Sequence, residues 1–238
     1  MRIAEGSQQA WDERKREVRQ RKSEHEQVIQ ALTQMGIDLE IDLSDAIGLA
    51  QGVVDELQSS LDDMSQIENS TQLYKLDGSM NSEVVALSYD ASDQSIIIPN
   101  ASASNFVHEM THAAQFEDQR LAFAENGASL LQDVYDELDA YRSQFAFDPI
   151  SVHKLQSSSG IAIVRMQDLS VSWLRGLTAS NGDQPYSVNG QGSANTGGVP
   201  ININSTKAEL MRAYPNVNLS NMPDDFSLID IPGIIYKR

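Results

Sequence analysis

The run from Asn105 to Gln115 constrains this chain most, because it contains His108, Glu109 and His112 in an H-E-x-x-H pattern. On a helix the two histidines lie one turn apart on the same face, so both imidazoles can reach a single metal ion. Glu109 then lies beside the remaining coordination position of that ion. The run is therefore predicted to be a helix that binds a metal.

The residues around the two histidines indicate that this helix is buried. They are apolar or small: Phe106, Val107, Met110, Ala113 and Ala114. A buried helix needs partners for two imidazoles and a carboxylate, and a metal ion provides one. A catalytic zinc takes three protein ligands and lowers the pKa of a bound water to about 7. We therefore expect Zn²⁺, with His108 and His112 as ligands and Glu109 as the base.

The composition narrows the ligand types and the classes of partner. The chain has no cysteine, which excludes disulfides and thiolate-bound zinc. Its formal net charge of −17 argues against nucleic-acid binding. No run reaches the roughly 18 apolar residues of a membrane span. The first residues lack the apolar segment of a signal peptide, so we expect cytoplasmic synthesis.

Two helices are predicted before the metal-binding run. The first spans residues 8–35 and ends at Gly36, and the second begins at Ser44 as N-cap and ends near Ile67. Apolar residues are denser in the second half of the first helix, so we expect only that half to pack on a core. The first half projects or lies along the domain. We divide the chain into a helical extension, residues 1–69, and a domain that contains the metal-binding run, residues 70–238.

A small sheet is predicted between these helices and the metal-binding run. Residues 83–89 and 94–99 form a β-hairpin around a polar turn, and residues 73–76 are a candidate further strand. Ser102 or Ser104 is a suitable N-cap for the helix that carries His108.

The chain after the metal-binding run mixes helix and irregular structure. A long helix is predicted over residues 128–147, and a short one over 205–214 with Ser205 as its cap. The apolar stretch 161–177 fits either helix or strand. Residues 187–198 are rich in Gly, Ser and Asn and are predicted to be loop, either a lid over a cleft or a mobile connection. Together these elements predict an α+β fold.

A carboxylate on the helix over residues 128–147 is the expected third ligand, because His25 and His153 are the only other histidines. Glu137 lies at the margin of the apolar stripe of that helix and can therefore face inward. The other acidic residues of the helix point farther from the stripe: Asp133, Asp136 and Asp139. Alternatively, Glu137 is an ordinary surface residue paired with Arg120 or Arg142.

His108, Glu109 and His112, followed by Glu137, resemble the gluzincin branch of the zincin metallopeptidases. In several such families a small residue follows the third ligand by three positions, as Ala140 does here. The region also resembles metallopeptidase domains at the ends of bacterial polymorphic toxins and secretion-system effectors. The resemblance covers residues 83–147. It implies a zincin-like α+β fold, a protein or peptide substrate and hydrolysis by a metal-activated water.

The resemblance further implies a donor for the developing oxyanion and a strand that binds substrate. The candidate donors are Tyr135, Tyr141, His153 and Tyr186, of which Tyr141 and His153 rank first. Zincins bind substrate as an added strand, and the hairpin over residues 83–99 is the expected edge. The predicted catalytic residues are thus Glu109, His153 and Tyr141.

Three functions follow from this reading. The first is a toxin or effector peptidase, exported by a signal-peptide-independent secretion system, with an immunity or secretion-apparatus protein as partner. The second is a cytoplasmic metallopeptidase with a regulatory or housekeeping substrate. The third is a binding module that retains the metal without activity, which the presence of Glu109 argues against because a structural site prefers a fourth protein ligand.

Overall fold

The computed structural model describes residues 2–79, 86–179, 181–187, 198–214 and 220–238, and these form an α+β fold. The helices are α1 (Gln8–Leu39), α2 (Ser44–Asn69), α3 (Ala103–Glu117), α4 (Val134–Phe147), α5 (Pro149–His153), α6 (Val171–Arg175) and α7 (Lys207–Ala213). The strands are β1 (Leu73–Asp77), β2 (Ser88–Asp90), β3 (Ser95–Pro99), β4 (Ala122–Ala124), β5 (Ser129–Leu130), β6 (Gln156–Ser157), β7 (Leu177–Thr178) and β8 (Ile234–Ile235). Within the described ranges, no helix is both long and apolar enough to cross a membrane.

The sheet before α3 has the strand order β1-β3-β2. The antiparallel pairing of β2 with β3 confirms the hairpin for residues 88–99, while residues 80–85 of the expected first strand lie outside the described part. The candidate strand near residue 73 is present as β1 and pairs parallel to β3. Ile96 and Ile98 of β3 are fully buried on one face, which fixes this sheet against the core. The remaining strands form one three-stranded sheet, β5-β4-β8, and one pair, β6-β7.

Helix α1 is longer than the sequence predicted, because Gly36 lies in its last turn rather than after it. The helix ends at Leu39, and Glu40 adopts a left-handed conformation with φ of 54°. The backbone N–H groups of Glu40 and Ile41 both donate to the carbonyl of Gly36. The carbonyl of Gly36 therefore accepts the hydrogen bonds that close the last turn of the helix.

The expectation that only the second half of α1 packs on a core is wrong. Trp11 and Val18, in the first half, are fully buried, whereas Val28 is 47% and Met35 40% exposed. The apolar residues of the first half are few but pack into the main core with α2, and Trp11 also packs edge-on against Phe106 of α3. No residue from 19 to 53, a stretch described throughout, is buried. We call this stretch of α1, the connection and α2 the distal arm.

Helix α2 covers the predicted residues, but its N-cap is Leu43 rather than Ser44. Ser44 is its first helical residue, and the Asp42 carboxylate accepts a hydrogen bond from the Ser44 N–H. Beyond the distal arm, α2 packs into the main core through Leu57, Met64 and Ile67. That core joins residues from both sides of position 69, and the division of the chain into two domains at that point stays a prediction.

Helix α4 begins six residues later than predicted. Residues 129–130 form β5, and Leu131 has a φ of 68°, which a residue inside a helix does not adopt. Leu131 therefore lies before α4 and is not part of the apolar stripe of that helix. It packs in a separate cluster with Ile201 and Ile203. Val134, Leu138 and Phe145 keep the stripe and pack against Trp173 and Leu174 of α6.

The remaining C-terminal elements are short. The stretch 161–177 contains one turn of 3₁₀-helix, then α6 and the start of β7, so it is neither one helix nor one strand. Helix α7 is capped by Thr206, whose hydroxyl accepts from the Glu209 N–H, and not by Ser205. Most of the Gly-rich segment expected as loop, residues 188–197, lies outside the described part.

Candidate metal centre

Helix α3 carries the H-E-x-x-H pattern and is almost wholly buried. Its N-cap is Ser102, whose hydroxyl accepts a hydrogen bond of 3.1 Å from the Asn105 N–H. Every residue from 106 to 116 is buried. The apolar residues among them belong to the main core, so the histidines are held between that core and α4. The prediction of a buried helix is confirmed.

The start of α4 is fixed by a capping box, and this places Glu137 against α3. The Asp133 carboxylate accepts from the N–H groups of Tyr135 and Asp136, and the Asp136 carboxylate accepts in return from the Asp133 N–H. Glu137 follows in the first helical turn and is only 7% exposed. Three local hydrogen bonds thus determine where the Glu137 side chain points.

Three side chains meet between α3 and α4. The Nε2 atom of His108 lies 3.5 Å from one carboxylate oxygen of Glu137, and the Nε2 atom of His112 lies 3.7 Å from the other. One donor atom from each residue lies within 4.8 Å of the other two. Donors bound tetrahedrally to zinc at about 2.0–2.1 Å are roughly 3.4 Å apart, so this group could hold a metal ion.

The tautomer of His112 is set by Gln115. The Nε2 atom of Gln115 donates to the backbone carbonyl of Asp136 at 2.9 Å, and a carbonyl can only accept. The Oε1 atom of Gln115 therefore faces His112 Nδ1, at 2.7 Å, and that nitrogen must carry the hydrogen. In the neutral ring the lone pair of His112 is then on Nε2, which faces Glu137.

Gln144 sets the tautomer of His108 in the same way. The hydroxyl of Ser151 donates to the carbonyl of Asp148, so it accepts from the Gln144 amide nitrogen at 3.1 Å. Gln144 Oε1 is then 3.1 Å from His108 Nδ1 and accepts its hydrogen. Both imidazoles thus carry a hydrogen on Nδ1 and direct Nε2 toward Glu137, so Nε2 is the atom of each ring that can bind a divalent metal.

Glu137 is held as a carboxylate. Burial alone would raise its pKa, but the imidazoles of His112 and His108 and the Tyr186 hydroxyl hold the pKa below its ordinary value. Tyr186 donates to Glu137 Oε2 at 2.9 Å, and the amide of Gln132 donates to Oε1. The arginines that were alternative partners bind elsewhere: Arg120 pairs with Asp136 and Asp139, and Arg142 with Asp139.

Glu109 lies beside this group and is 6% exposed. Its Oε2 atom accepts a hydrogen bond of 2.9 Å from the backbone N–H of Leu87, immediately before β2. Burial raises the pKa of Glu109 to about 7, against the opposing effects of His112 and the Leu87 N–H. The sheet therefore contributes one backbone donor to the position of the predicted base.

Of the predicted oxyanion donors, the structure brings two tyrosines to the centre. The ring of Tyr141 packs edge-on against His108, with centroids 4.6 Å apart, and edge-on against the ring of Tyr186, with centroids 6.5 Å apart. Burial raises the pKa of both phenols, so they remain protonated. Tyr135 points elsewhere, because its hydroxyl donates to the Gly198 carbonyl.

The structure does not bring His153 to the centre. It is exposed at the end of α5, and its ring packs against Phe145, with centroids 5.5 Å apart. Among the contacts of the described residues, none joins His153 to the three candidate ligands. The other histidine outside the motif, His25, lies in the distal arm.

The expected substrate-binding edge is partly engaged by the protein itself. Strand β2 is at the edge of its sheet, but the backbone N–H of Tyr89 donates to the Gly127 carbonyl at 3.2 Å. The N–H of Leu87 is bonded to Glu109. An added strand at residues 87–89 would have to displace both bonds, and its role stays a prediction.

Sequence reasoning missed the three glutamines that contact the ligands. Gln115 follows His112 by three positions on the same helical face, and that spacing is a signal that could have identified it. Gln144 and Gln132 lie far from the histidines in the chain, and no local pattern indicates them. Their roles depend on how α3 and α4 pack.

No protein-family model, curated protein or solved structure matches this chain. The donor chemistry is therefore what decides whether a metal fits. Two neutral imidazoles and one carboxylate are a ligand set typical of catalytic zinc. Each ligand also has a hydrogen-bonding partner that orients it. These residues fit a divalent metal ion.

Proposed function

We propose that this protein is a zinc-dependent endopeptidase of the zincin type. The observation that carries the proposal is the convergence of His108, His112 and Glu137 from two packed helices, with Glu109 beside them. The small sheet next to α3 and the order of the motifs along the chain agree with the zincin resemblance. Zinc is proposed because the contacts at Nδ1 leave Nε2 of both imidazoles directed toward Glu137, and because no thiolate is available.

Each residue of the group has a distinct part in this proposal. His108, His112 and Glu137 hold the ion, which when bound acidifies water and polarises a carbonyl group. Glu109 takes the proton from the attacking water. The Leu87 N–H occupies its Oε2 atom, so we assign the proton transfer to Oε1.

Substitution of Glu109 by Gln tests the enzymatic part directly. The variant keeps the shape of the side chain but removes the base, so we expect peptide hydrolysis to fall by about 10²–10⁴-fold. Zinc content, measured by elemental mass spectrometry, should stay near one ion per chain. Glu13→Gln, an exposed change on α1, is the matched control and should keep full activity. Undiminished hydrolysis by Glu109→Gln would remove Glu109 from the base role.

The substrate of the proposed enzyme is a protein or peptide, and the resemblance favours a toxin or effector. Expression of the wild type in bacteria should then slow growth, whereas Glu109→Gln should not. A neighbouring gene whose product restores growth would identify the immunity partner. Equal growth of both strains would favour a regulatory or housekeeping peptidase. A zinc-loaded protein that cleaves nothing in a search for new protein N-termini would favour a binding module.

A further inference from the structure

We propose that Gln132 is a catalytic residue of this centre, whose carboxamide donates a hydrogen bond to the oxygen atom that the centre binds. This inference rests on the proposed function. It takes the place of the predicted donor His153, because His153 lies away from the centre and the structure orients the Gln132 amide toward the candidate ligands.

The contacts of Gln132 define the orientation of its amide. Its Oε1 atom accepts a hydrogen bond of 3.3 Å from the Ser129 hydroxyl. Its Nε2 atom donates to Glu137 Oε1 and lies 3.1 Å from His112 Nε2. Since the carboxylate of Glu137 only accepts, the amide nitrogen is the atom that faces the centre.

The two hydrogens of that nitrogen have different acceptors. One is directed to Glu137, and the other is directed to the lone pair of His112 Nε2. An imidazole nitrogen has a single lone pair, so when His112 binds an ion the second hydrogen needs another acceptor. The acceptor at that place is an oxygen of water or of the substrate carbonyl. A neutral amide stabilises the negative charge that develops on such an oxygen.

The backbone on both sides of Gln132 holds it in place. Leu131 has a φ of 68°, which costs energy for a residue with a branched side chain and is typical of functional positions. Asp133 is the N-cap of α4, and its Oδ2 atom also accepts from the buried Ile201 N–H at 2.8 Å. Gln132 is therefore presented by two anchored neighbours rather than by a free loop.

Tyr186 has no hydrogen left for this role, because it donates its hydroxyl hydrogen to Glu137 Oε2. Tyr141 contacts His108 through its ring and stays a further predicted donor. Each phenol has one hydrogen, whereas the Gln132 amide nitrogen has two. Tyr186 is thus a positioning residue for Glu137, and it provides a matched control for Gln132.

The test compares Gln132→Met with Tyr186→Phe, using acetohydroxamate as the probe. Methionine keeps the length of glutamine without its donors, and both variants lose one hydrogen bond to Glu137. We expect both to bind zinc about tenfold more weakly in competition with a chelator. Only Gln132→Met should also bind acetohydroxamate about tenfold more weakly, measured on zinc-saturated and cobalt-substituted protein. If peptide hydrolysis is found, kcat of Gln132→Met should fall by about 10²-fold.

Ser129→Ala is a second variant that leaves the glutamine in place. It removes the bond that orients the amide, so we expect a smaller loss of acetohydroxamate binding in the same direction. Gln58→Ala, an exposed change on α2, should alter neither affinity. Circular dichroism establishes that each variant is folded before binding is measured.

Several results would overturn the inference. Unchanged acetohydroxamate binding by folded Gln132→Met would show that the amide does not contact the bound oxygen. Tighter zinc binding by that variant would show that Gln132 competes with the ion. A zinc-loaded wild type that cleaves no peptide, but whose acetohydroxamate binding depends on Gln132, would contradict the peptidase function and leave this inference standing. A wild type that takes up no zinc would overturn both.

Discussion

Helix α3 and the distal arm show that hydrophobic density and burial are different properties in this protein. Helix α3 buries two histidines, a glutamate and a glutamine within an unbroken run of buried residues. The distal arm contains more apolar residues per turn than the first half of α1, yet Ile37 is 66% and Leu39 60% exposed. The polar side chains of α3 are buried because each has a hydrogen-bonding partner. The apolar side chains of the distal arm remain exposed because only one other helix packs against them.

The largest expected effect is a loss of stability on substituting Trp11, in the buried first half of α1. Trp11 is fully buried, contacts Phe106 and donates its indole N–H to Glu68 at 2.8 Å. Trp11→Ala should therefore lower the free energy of unfolding by about 3–5 kcal/mol. Urea denaturation followed by circular dichroism measures this. A loss below about 1 kcal/mol would mean that the first half of α1 does not belong to the core.

The next effect concerns the glutamines that orient the histidines. Gln115→Leu removes the acceptor of His112 Nδ1 and the bond to the Asp136 carbonyl. We expect zinc affinity to fall by about 10–100-fold, as for other outer partners of metal ligands. Titration against a chelator measures the affinity, and Gln58→Ala is the control. Wild-type affinity in Gln115→Leu would show that the ring orientation of His112 has another cause.

A smaller effect is the pH dependence of stability expected from Asp63, in the part of α2 that packs on the core. Burial, together with the charges of Asp118 and Glu56, raises the pKa of Asp63 from 3.8 to about 7. The unfolded chain ionises near pH 3.8 but the folded one does not, so stability should fall as pH rises from about 4 to 7. Asp63→Asn should remove this fall.

We expect Asp63→Asn to exceed the wild type by about 1–2 kcal/mol at pH 8, with the difference vanishing toward pH 4; partial exposure of the side chain reduces the full linkage value. Urea denaturation at several pH values measures the difference. Asp55→Asn, an exposed change on α2, is the control and should follow the wild type. A difference that is independent of pH would refute the assignment to Asp63.

The smallest effect belongs to the distal arm. Ile37→Ser replaces an exposed apolar side chain, so the free energy of unfolding should change by no more than about 0.5 kcal/mol. Zinc affinity should not change. A loss of unfolding free energy as large as that of Trp11→Ala would show that the second half of α1 also contributes to the core.

The sequence predicted the parts of the site that local spacing determines. The i, i+4 relation of His108 and His112 and the inward position of Glu137 follow from helix periodicity, and the structure bears them out as one buried group. The Ser102 cap and the hairpin before α3 also follow from local chemistry. These features depend on residues close in the chain.

The sequence could not predict features that depend on packing between distant elements. The burial of Trp11 and Val18 requires α2 and α3, which come later in the chain. The late start of α4 depends on β5, whose partner is β4. Gln132 and Gln144 reach the centre only because α3 and α4 pack together. Residue spacing alone contains no information on these contacts.

Anomalous diffraction at the zinc absorption edge, recorded from crystals of the full chain, would locate the ion. We predict one strong peak between α3 and α4, within about 2.0–2.2 Å of His108 Nε2, His112 Nε2 and a carboxylate oxygen of Glu137. A zinc-saturated crystal with no peak at this place, or with its peak on other residues, would contradict this prediction.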